Sequence, residues 1–351
     1  MKSQKSIWNA RWAALGVVAV GATACSAVKP EGTTPVADAQ ATFITGTLPD
    51  ALIEASGVTP LTGLPNDEVL IVGDKDLAGV QVDGATDCFN TGKFEGHVRP
   101  IEDDLKDSID VNDMEDVAWD KARHAAFVVV SGSKNSDNES KPKREKFARL
   151  TFDEATEKFS GKEVPKFKDK IVKAFPELKP SVESKSSVGG DSGTFNMEGA
   201  AFVPGENGKL LLGFRSPTHD NSAIVITITN PHEIFDKGAE AKFEAKPQYL
   251  DLKGQGIRGF CYDEGSKGCW IVSGDSANAD DVPAETWKLW FWDMKSAPVE
   301  KTVEKGTLKN AEGVCLMPFQ GKPGLLFIED AGKDDQKNPL PCHYILTAIP
   351  R

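Results

Sequence analysis

One segment recurs five times along this chain, and it constrains the fold more than any other feature. Each copy contains two short apolar runs separated by a polar turn. The copies are EASGVTPLTGLPNDEVLIVGD from Glu54, DMEDVAWDKARHAAFVVVSG from Asp113, NMEGAAFVPGENGKLLLGFRSP from Asn196, GIRGFCYDEGSKGCWIVSG from Gly256 and NAEGVCLMPFQGKPGLLFIED from Asn310. Apolar runs of this length, joined by Gly, Asn or Asp, are typical of β-hairpins. Regular recurrence of a hairpin indicates structural units that pack on one another.

Further apolar runs follow the third and fourth copies, namely SAIVITITN, KPQYLDL, WKLWFWDM and VEKTVEKG. Four antiparallel strands in each repeated unit are the pattern of a β-propeller. The sequence therefore predicts an all-β, five-bladed propeller. The run CHYILTAIP near the C-terminus and ATFITGTLP from Ala41 predict that an N-terminal strand completes the last blade and closes the ring.

The interval between the second and third copies is longer than the others. An insertion at about 134–195 explains this interval, and a sixth, degenerate blade is the alternative. Within it, VPKFKDKIVKAFPELK places Phe167, Ile171, Val172 and Phe175 at near-helical spacing. We expect a short helix whose apolar stripe packs on the propeller.

Residues 1–24 have a basic head and a short apolar stretch, which predicts an export signal. Ala22, Thr23, Ala24 and Cys25 resemble a bacterial lipobox, so we expect Cys25 to be lipidated. Ordinary cleavage near Ala24 or Ala27 is the alternative. Residues 25–40 then form a linker, and 41–351 form the propeller domain. The expected location is outside the cytoplasm, with a membrane contact only through the lipid anchor, or periplasmic or secreted without it.

The chain carries 41 Lys and Arg against 53 Asp and Glu, for a formal net charge of −12. An acidic protein of this kind repels the phosphate backbone, so we expect no nucleic-acid partner. We also expect a monomer.

An oxidising compartment permits disulfides. Cys261 and Cys269 flank the turn YDEGSKG, and we expect a bridge between them. The pairing of Cys88, Cys315 and Cys342 is left open.

A ring of polar residues is expected at one end of the propeller axis, because the inner strand of each blade begins there. The residues just before the aligned glycine, or its substitute Asp116, are Ser56, Glu115, Glu198, Arg258 and Glu312. Glu54 lies two residues before Ser56 and on the same face by strand alternation. The ends of the second strands add several more polar residues, among them Asp74, Lys75, Ser131, Ser133, Arg215, His219, Asp275, Glu329 and Asp330.

Carboxylates held close together need protonation, basic partners or a bound cation. Hard oxygen ligands suit Ca²⁺ or Mg²⁺. The candidate metal ligands are Glu54, Glu115, Glu198, Glu312 and Asp74. The candidate ligand-binding residues are Glu115, Glu198, Arg258, Glu312, Arg215, His219 and Lys75. Two other interpretations stand beside cation binding, namely that these glutamates only hold the blades together, and that they act in acid–base catalysis.

The motifs NMEG, LLLGFRSP, AIVITITNP, YLDLKGQGIRG and WKLWFWD, in this order, resemble an uncharacterised family of exported bacterial propellers over roughly residues 50–330. The segment EASGV is similar, more loosely, to the strand opening of phytase-like and esterase-like propellers. The second resemblance implies metal-dependent phosphoester or ester hydrolysis.

The function expected first is binding of a small ligand or cation, with Ca²⁺ the expected cation, at the top of the central channel. The alternatives are a phytase-like hydrolase and a protein-interaction scaffold.

Overall fold

In the part of the chain that the structure describes, the alternating apolar runs and turns fold into twenty strands, which pair as five antiparallel sheets of four strands each. The computed structural model describes residues 43–52, 54–74, 79–185, 187–277, 282–303, 308–332, 338 and 340–350. Within these residues, all five repeated hairpins supply the first two strands of a sheet.

Within each blade the strands run outward from the axis in chain order, except that the N-terminal strand forms the outer edge of the last blade. Blade 1 contains β2 (Ala55–Pro60), β3 (Glu68–Gly73), β4 (Gly79–Asp83) and β5 (Val98–Pro100). Blade 2 contains β6 (Met114–Asp120), β7 (Ala125–Val130), β8 (Phe147–Asp153) and β9 (Lys158–Val164). Blade 3 contains β10 (Asn196–Val203), β11 (Lys209–Ser216), β12 (Ala223–Ile228) and β13 (Gln248–Leu250). Blade 4 contains β14 (Gly256–Asp263), β15 (Gly268–Gly274), β16 (Lys288–Trp292) and β17 (Val299–Lys301). Blade 5 contains β18 (Ala311–Phe319), β19 (Lys322–Glu329), β20 (His343–Ala348) and β1 (Phe43–Thr47).

The inner strands form a closed ring, in which β2 contacts β6, β6 contacts β10, and so on through β14 and β18 back to β2. The N-terminal strand β1 pairs antiparallel with β20, from Phe43 opposite Thr347 to Thr47 opposite His343. Both the five-bladed propeller and its closure by the N-terminal strand are confirmed. The alternative of a sixth blade is wrong.

The apolar core lies between the blades. Five clusters of buried side chains each join two neighbouring blades, so that every sheet buries both faces against its neighbours. Phe260 and Cys261 are consecutive in β14, yet Phe260 packs towards blade 3 and Cys261 towards blade 5. Because side chains of a strand alternate between faces, a single inner strand serves two interfaces.

The helices lie in the connections: α1 (Ala85–Thr91), α2 (Glu102–Leu105), α3 (Phe167–Ala174), α4 (Lys179–Glu183) and α5 (Pro231–Asp236). The predicted helical stripe packs on the propeller, since Phe167, Ile171 and Phe175 are buried with blades 2 and 3 and Val172 packs beside them. Among the described residues, no helix has the length and apolar character needed to cross a membrane.

The predicted insertion at about 134–195 is too broad. Strands β8 and β9 fall inside it and complete blade 2 in the regular way. The additional length is divided between the β7–β8 connection and the segment that carries α3 and α4.

The predicted disulfide is wrong. Cys261 lies opposite Trp270, and Cys269 lies opposite Tyr262. The two cysteines are therefore one position out of register, and their side chains point to opposite faces of the sheet. Both are free thiols, as are Cys88, Cys315 and Cys342.

Candidate functional site

Every inner strand carries a β-bulge at the same place. The regular register is interrupted between Ala55 and Gly57, Met114 and Asp116, Met197 and Gly199, Ile257 and Gly259, and Ala311 and Gly313. The extra residue in each bulge belongs to the predicted ring, which is Ser56, Glu115, Glu198, Arg258 and Glu312. A bulge redirects its side chain away from the regular alternation of the strand. The repeated bulge thus presents five equivalent side chains at one end of the axis, which we call the upper mouth.

Blades 3, 4 and 5 are joined at the upper mouth by one buried arginine. Nη1 of Arg258 lies 3.1 Å from Oε2 of Glu198, and its Nη2 forms an ion pair with Oε1 of Glu312. Arg258 and Glu198 are both more than nine-tenths buried. A guanidinium that bridges two carboxylates of flanking blades neutralises charge and fixes the spacing of these blades.

Arg215, at the end of β11, reinforces the same region. Its Nη1 lies 3.1 Å from Oε1 of Glu198, while Nε and Nη2 donate to the backbone oxygens of Asp275 (3.1 Å) and Ala277 (2.7 Å). Asn196 also donates to Oε1 of Glu198, at 2.6 Å. Oε1 of Glu198 thus accepts from Asn196 and Arg215, Oε2 lies in an ion pair with Arg258, and both arginines are already engaged.

The half of the upper mouth that belongs to blades 1 and 2 carries an excess of acid. Oxygen atoms of Asp74, Asp113 and Glu115 lie within 4.8 Å of one another. Asp74 and Glu115 are only partly buried, while Asp113 is buried. Three carboxylate oxygens at this spacing form a group that a cation can bridge.

Asp113 is anchored by the neighbouring loop. Its Oδ1 lies 2.9 Å from Nη2 of Arg144, and its Oδ2 accepts hydrogen bonds from the hydroxyls of Ser131 and Ser133. Asp74 accepts a hydrogen bond of 3.3 Å from the hydroxyl of Ser56. In contrast, Glu115 forms no hydrogen bond or close ion pair with any described residue.

Burial and the crowding of carboxylates in this half raise the pKa values of Asp74 and Glu115. Burial, together with the nearby charges of Asp113, Asp330 and Glu54, raises the pKa of Asp74 to about 7. Burial and the charges of Glu198, Asp74 and Asp113 raise the pKa of Glu115 well above its ordinary value. For Glu115, burial and the neighbouring carboxylates thus outweigh the positive charge of Arg258, which acts in the opposite direction.

Asp116 replaces the glycine that the other four blades have at this position. Its Oδ2 accepts a 2.7 Å hydrogen bond from the backbone N–H of Ala200 in blade 3, and its carboxylate also accepts from the N–H groups of Val117 and Phe260. The side chain therefore crosses the axis and links blades 2, 3 and 4. It lies directly below the upper mouth, because the preceding residue is Glu115.

The other predicted residues do not belong to the group formed by Asp74, Asp113 and Glu115. Glu54 is buried, and its backbone oxygen accepts from the N–H of Asp74. The half-exposed ring of His219 stacks on Tyr249, with 4.4 Å between ring centroids, and it does not join the carboxylate group. Lys75 and Cys25 lie outside the described residues.

Two residues of the acidic half are absent from the predicted ligand set. Asp113 stands two residues before Glu115, as Glu54 stands two before Ser56, so the repeat alignment contains the signal that places it. Arg144 lies in the β7–β8 connection, and no repeat or spacing marks it.

Comparison with known proteins assigns neither a family nor an activity to this chain. No family model matches the sequence, and no curated protein matches it. Among solved structures, the chain is similar to a luciferin-regenerating enzyme, with 10% identity, a TM-score of 0.37 and coverage of 84% of this chain and 78% of that one. It is also similar to a Trypanosoma rangeli sialidase, with 13% identity, a TM-score of 0.36 and coverage of 86% and 50%, so it spans half of that protein's length. These similar structures are β-propellers, and none of them assigns an activity to this chain.

Proposed function

We propose that this propeller binds a divalent cation at the acidic half of its upper mouth, through Asp74, Asp113 and Glu115. The observation that carries the proposal is the convergence of three carboxylate oxygens within 4.8 Å on blades 1 and 2, where Asp113 is held by Arg144 and the other two carboxylates face the solvent side. A carboxylate cluster suits a hard cation such as Ca²⁺.

The distribution of charge around the upper mouth favours a cation site on blades 1 and 2 over a site formed by carboxylates of all the blades. Glu198 and Glu312, which the sequence also suggests as metal ligands, are paired with Arg258, and this pairing favours a role in holding blades 3 to 5 together. The cation site is therefore narrowed to blades 1 and 2. Asp113 supplies the fixed ligand, and the partly exposed Asp74 and Glu115 complete the site from the solvent side.

The same arrangement favours binding over hydrolysis. A metal-dependent phosphoester or ester hydrolase is expected to present, besides its metal, positive side chains that are available to hold the substrate's oxyanion. Among the described residues of the mouth, Arg258, Arg215 and Arg144 are the arginines, and all three already bind protein carboxylates or carbonyls. We therefore propose an exported cation-binding propeller, anchored through Cys25, rather than an enzyme of the phytase-like type.

The proposal is tested by calorimetric titration of the metal-free protein with Ca²⁺ and Mg²⁺ at pH 8. We expect one site per chain, and a melting temperature that rises with cation concentration, because a ligand of the native state stabilises it. Asp74→Asn and Glu115→Gln should each weaken binding at least about tenfold, or ~1.4 kcal/mol. Glu206→Gln, an exposed change in the β10–β11 turn, should leave binding unchanged.

Competition with protons provides a second test. Because the pKa of Asp74 is about 7, we expect cation affinity to fall as the pH is lowered through 7. The proposal is refuted if neither cation binds, or if the two variants bind as tightly as the wild type.

A further inference from the structure

A cavity lies at the end of the axis opposite the upper mouth, where the inner strands are distant from the bulges. Its volume is about 650 Å³, within the range of roughly 300–1,000 Å³ typical of small-molecule sites. All five inner strands contribute to its wall, with Val58, Ala118, Ala200, Phe260 and Leu316 as one representative from each blade. We call this cavity the lower funnel.

The lower funnel is separated from the upper mouth by Asp116. In β6, Glu115 belongs to the upper mouth, Asp116 crosses the axis, and Val117 is the first residue of this strand that lines the funnel. The two ends of the axis therefore have different chemistry, and the funnel is a site distinct from the carboxylate group.

The wall of the funnel is mainly apolar and includes partly exposed side chains. Leu316 of blade 5 and Cys261 and Tyr262 of blade 4 are partly exposed and line the cavity. On another part of the wall, the ring of Trp119 lies parallel to that of His124, with 6.1 Å between centroids. An apolar cavity bordered by flat rings suits a flat apolar molecule.

The charges around the funnel do not select an ion. The exposed side chains of Lys121 and Glu264, which border the cavity, have opposite signs. The buried carboxylate of Asp120 is already bound, with Oδ2 2.7 Å from Nε2 of His232 and Oδ1 accepting from the N–H of Ala122. A ligand without net charge matches this border best.

We infer that the lower funnel is a binding site for an uncharged, flat, largely apolar small molecule. The inference goes beyond cation binding at the upper mouth and does not depend on it. Burial of the apolar ligand surface provides the binding free energy.

The test uses N-phenyl-1-naphthylamine, an uncharged aromatic amine whose fluorescence increases in an apolar environment. We expect saturable binding of one molecule per folded chain. Leu316→Trp and Cys261→Phe fill the funnel from two neighbouring blades, and each should weaken binding at least about tenfold. Val299→Trp introduces a large aromatic side chain at an exposed position of β17 and should leave binding unchanged.

Circular dichroism and the melting temperature of each variant confirm that it is folded. If one funnel variant does not fold, the other still tests the site, and the titration of the wild-type protein stands by itself. The inference is overturned if the wild type shows no saturable binding or binds several molecules, or if a folded funnel variant binds as the wild type does. Asp74→Asn should not affect this binding, which separates the inference from the proposed cation site.

Discussion

The replacement Asp74→Asn should make the metal-free protein more stable at alkaline pH. The pKa of Asp74 is about 7 in the folded protein, compared with an ordinary value of 3.8. Folding therefore takes up a proton between about pH 4 and pH 7. The stability associated with this proton is fully present below pH 4 and is lost as the pH rises through 7. Asparagine has no charge to bury, and its side-chain oxygen can still accept from Ser56.

The magnitude follows from the two pKa values. At about 1.4 kcal/mol per pH unit, an interval of roughly 3 units corresponds to a penalty on the order of 4 kcal/mol for the ionised side chain at pH 8. Part of this penalty is already present at pH 5. Asp74→Asn should therefore raise the free energy of unfolding above that of the wild type. This difference should be about 2–3 kcal/mol larger at pH 8 than at pH 5.

The assay is urea unfolding in EDTA at both pH values, followed by tryptophan fluorescence. The exposed control variant Glu206→Gln should show the same pH dependence as the wild type. Added Ca²⁺ should stabilise the wild type at pH 8 and have little effect on Asp74→Asn. If the difference between Asp74→Asn and wild type is the same at both pH values, the fold does not raise the pKa of Asp74 and the reasoning is refuted.

The other predictions concern the ring itself. Arg258→Met should lower the free energy of unfolding by roughly 3–5 kcal/mol in urea, because it removes the arginine from the partly buried Glu312 and one of the two arginines from the buried Glu198; combining it with Glu312→Gln should restore part of the loss, and no recovery would contradict the pairing. Asp116→Asn should cost about 1–3 kcal/mol in the same assay, since an amide group then faces backbone N–H donors; a neutral effect would argue against the axial link. Deletion of residues 1–47 removes β1 and should lower the melting temperature, whereas deletion of 1–40 should not.

The repeated hairpins were sufficient to predict the blades, because each inner strand has the same short-range pattern of apolar residues and turns. The closure by β1 and the packing of Phe167, Ile171 and Phe175 were predictable because they too depend on short-range patterns of apolar residues. The bulge itself was not predicted, yet it occurs at the aligned residue in every blade, so the alignment identified the correct ring.

The details of the site depend on register and on distant contacts, which the repeats do not contain. The β14–β15 turn sets Cys269 opposite Tyr262, and this offset of one residue separates it from Cys261. The division of the ring into a paired half and an acidic half depends on which glutamates Arg258 reaches. Arg144, which fixes Asp113, comes from a connection without a repeat.

The central claim, that the acidic half of the upper mouth holds a cation, is tested most directly by anomalous diffraction from crystals grown with Ca²⁺ at pH 8. We predict one anomalous peak on the axis side of blades 1 and 2, with oxygens of Asp74, Asp113 and Glu115 at roughly 2.3–2.6 Å. The absence of a peak there, or a peak bound only by other residues, would contradict the claim.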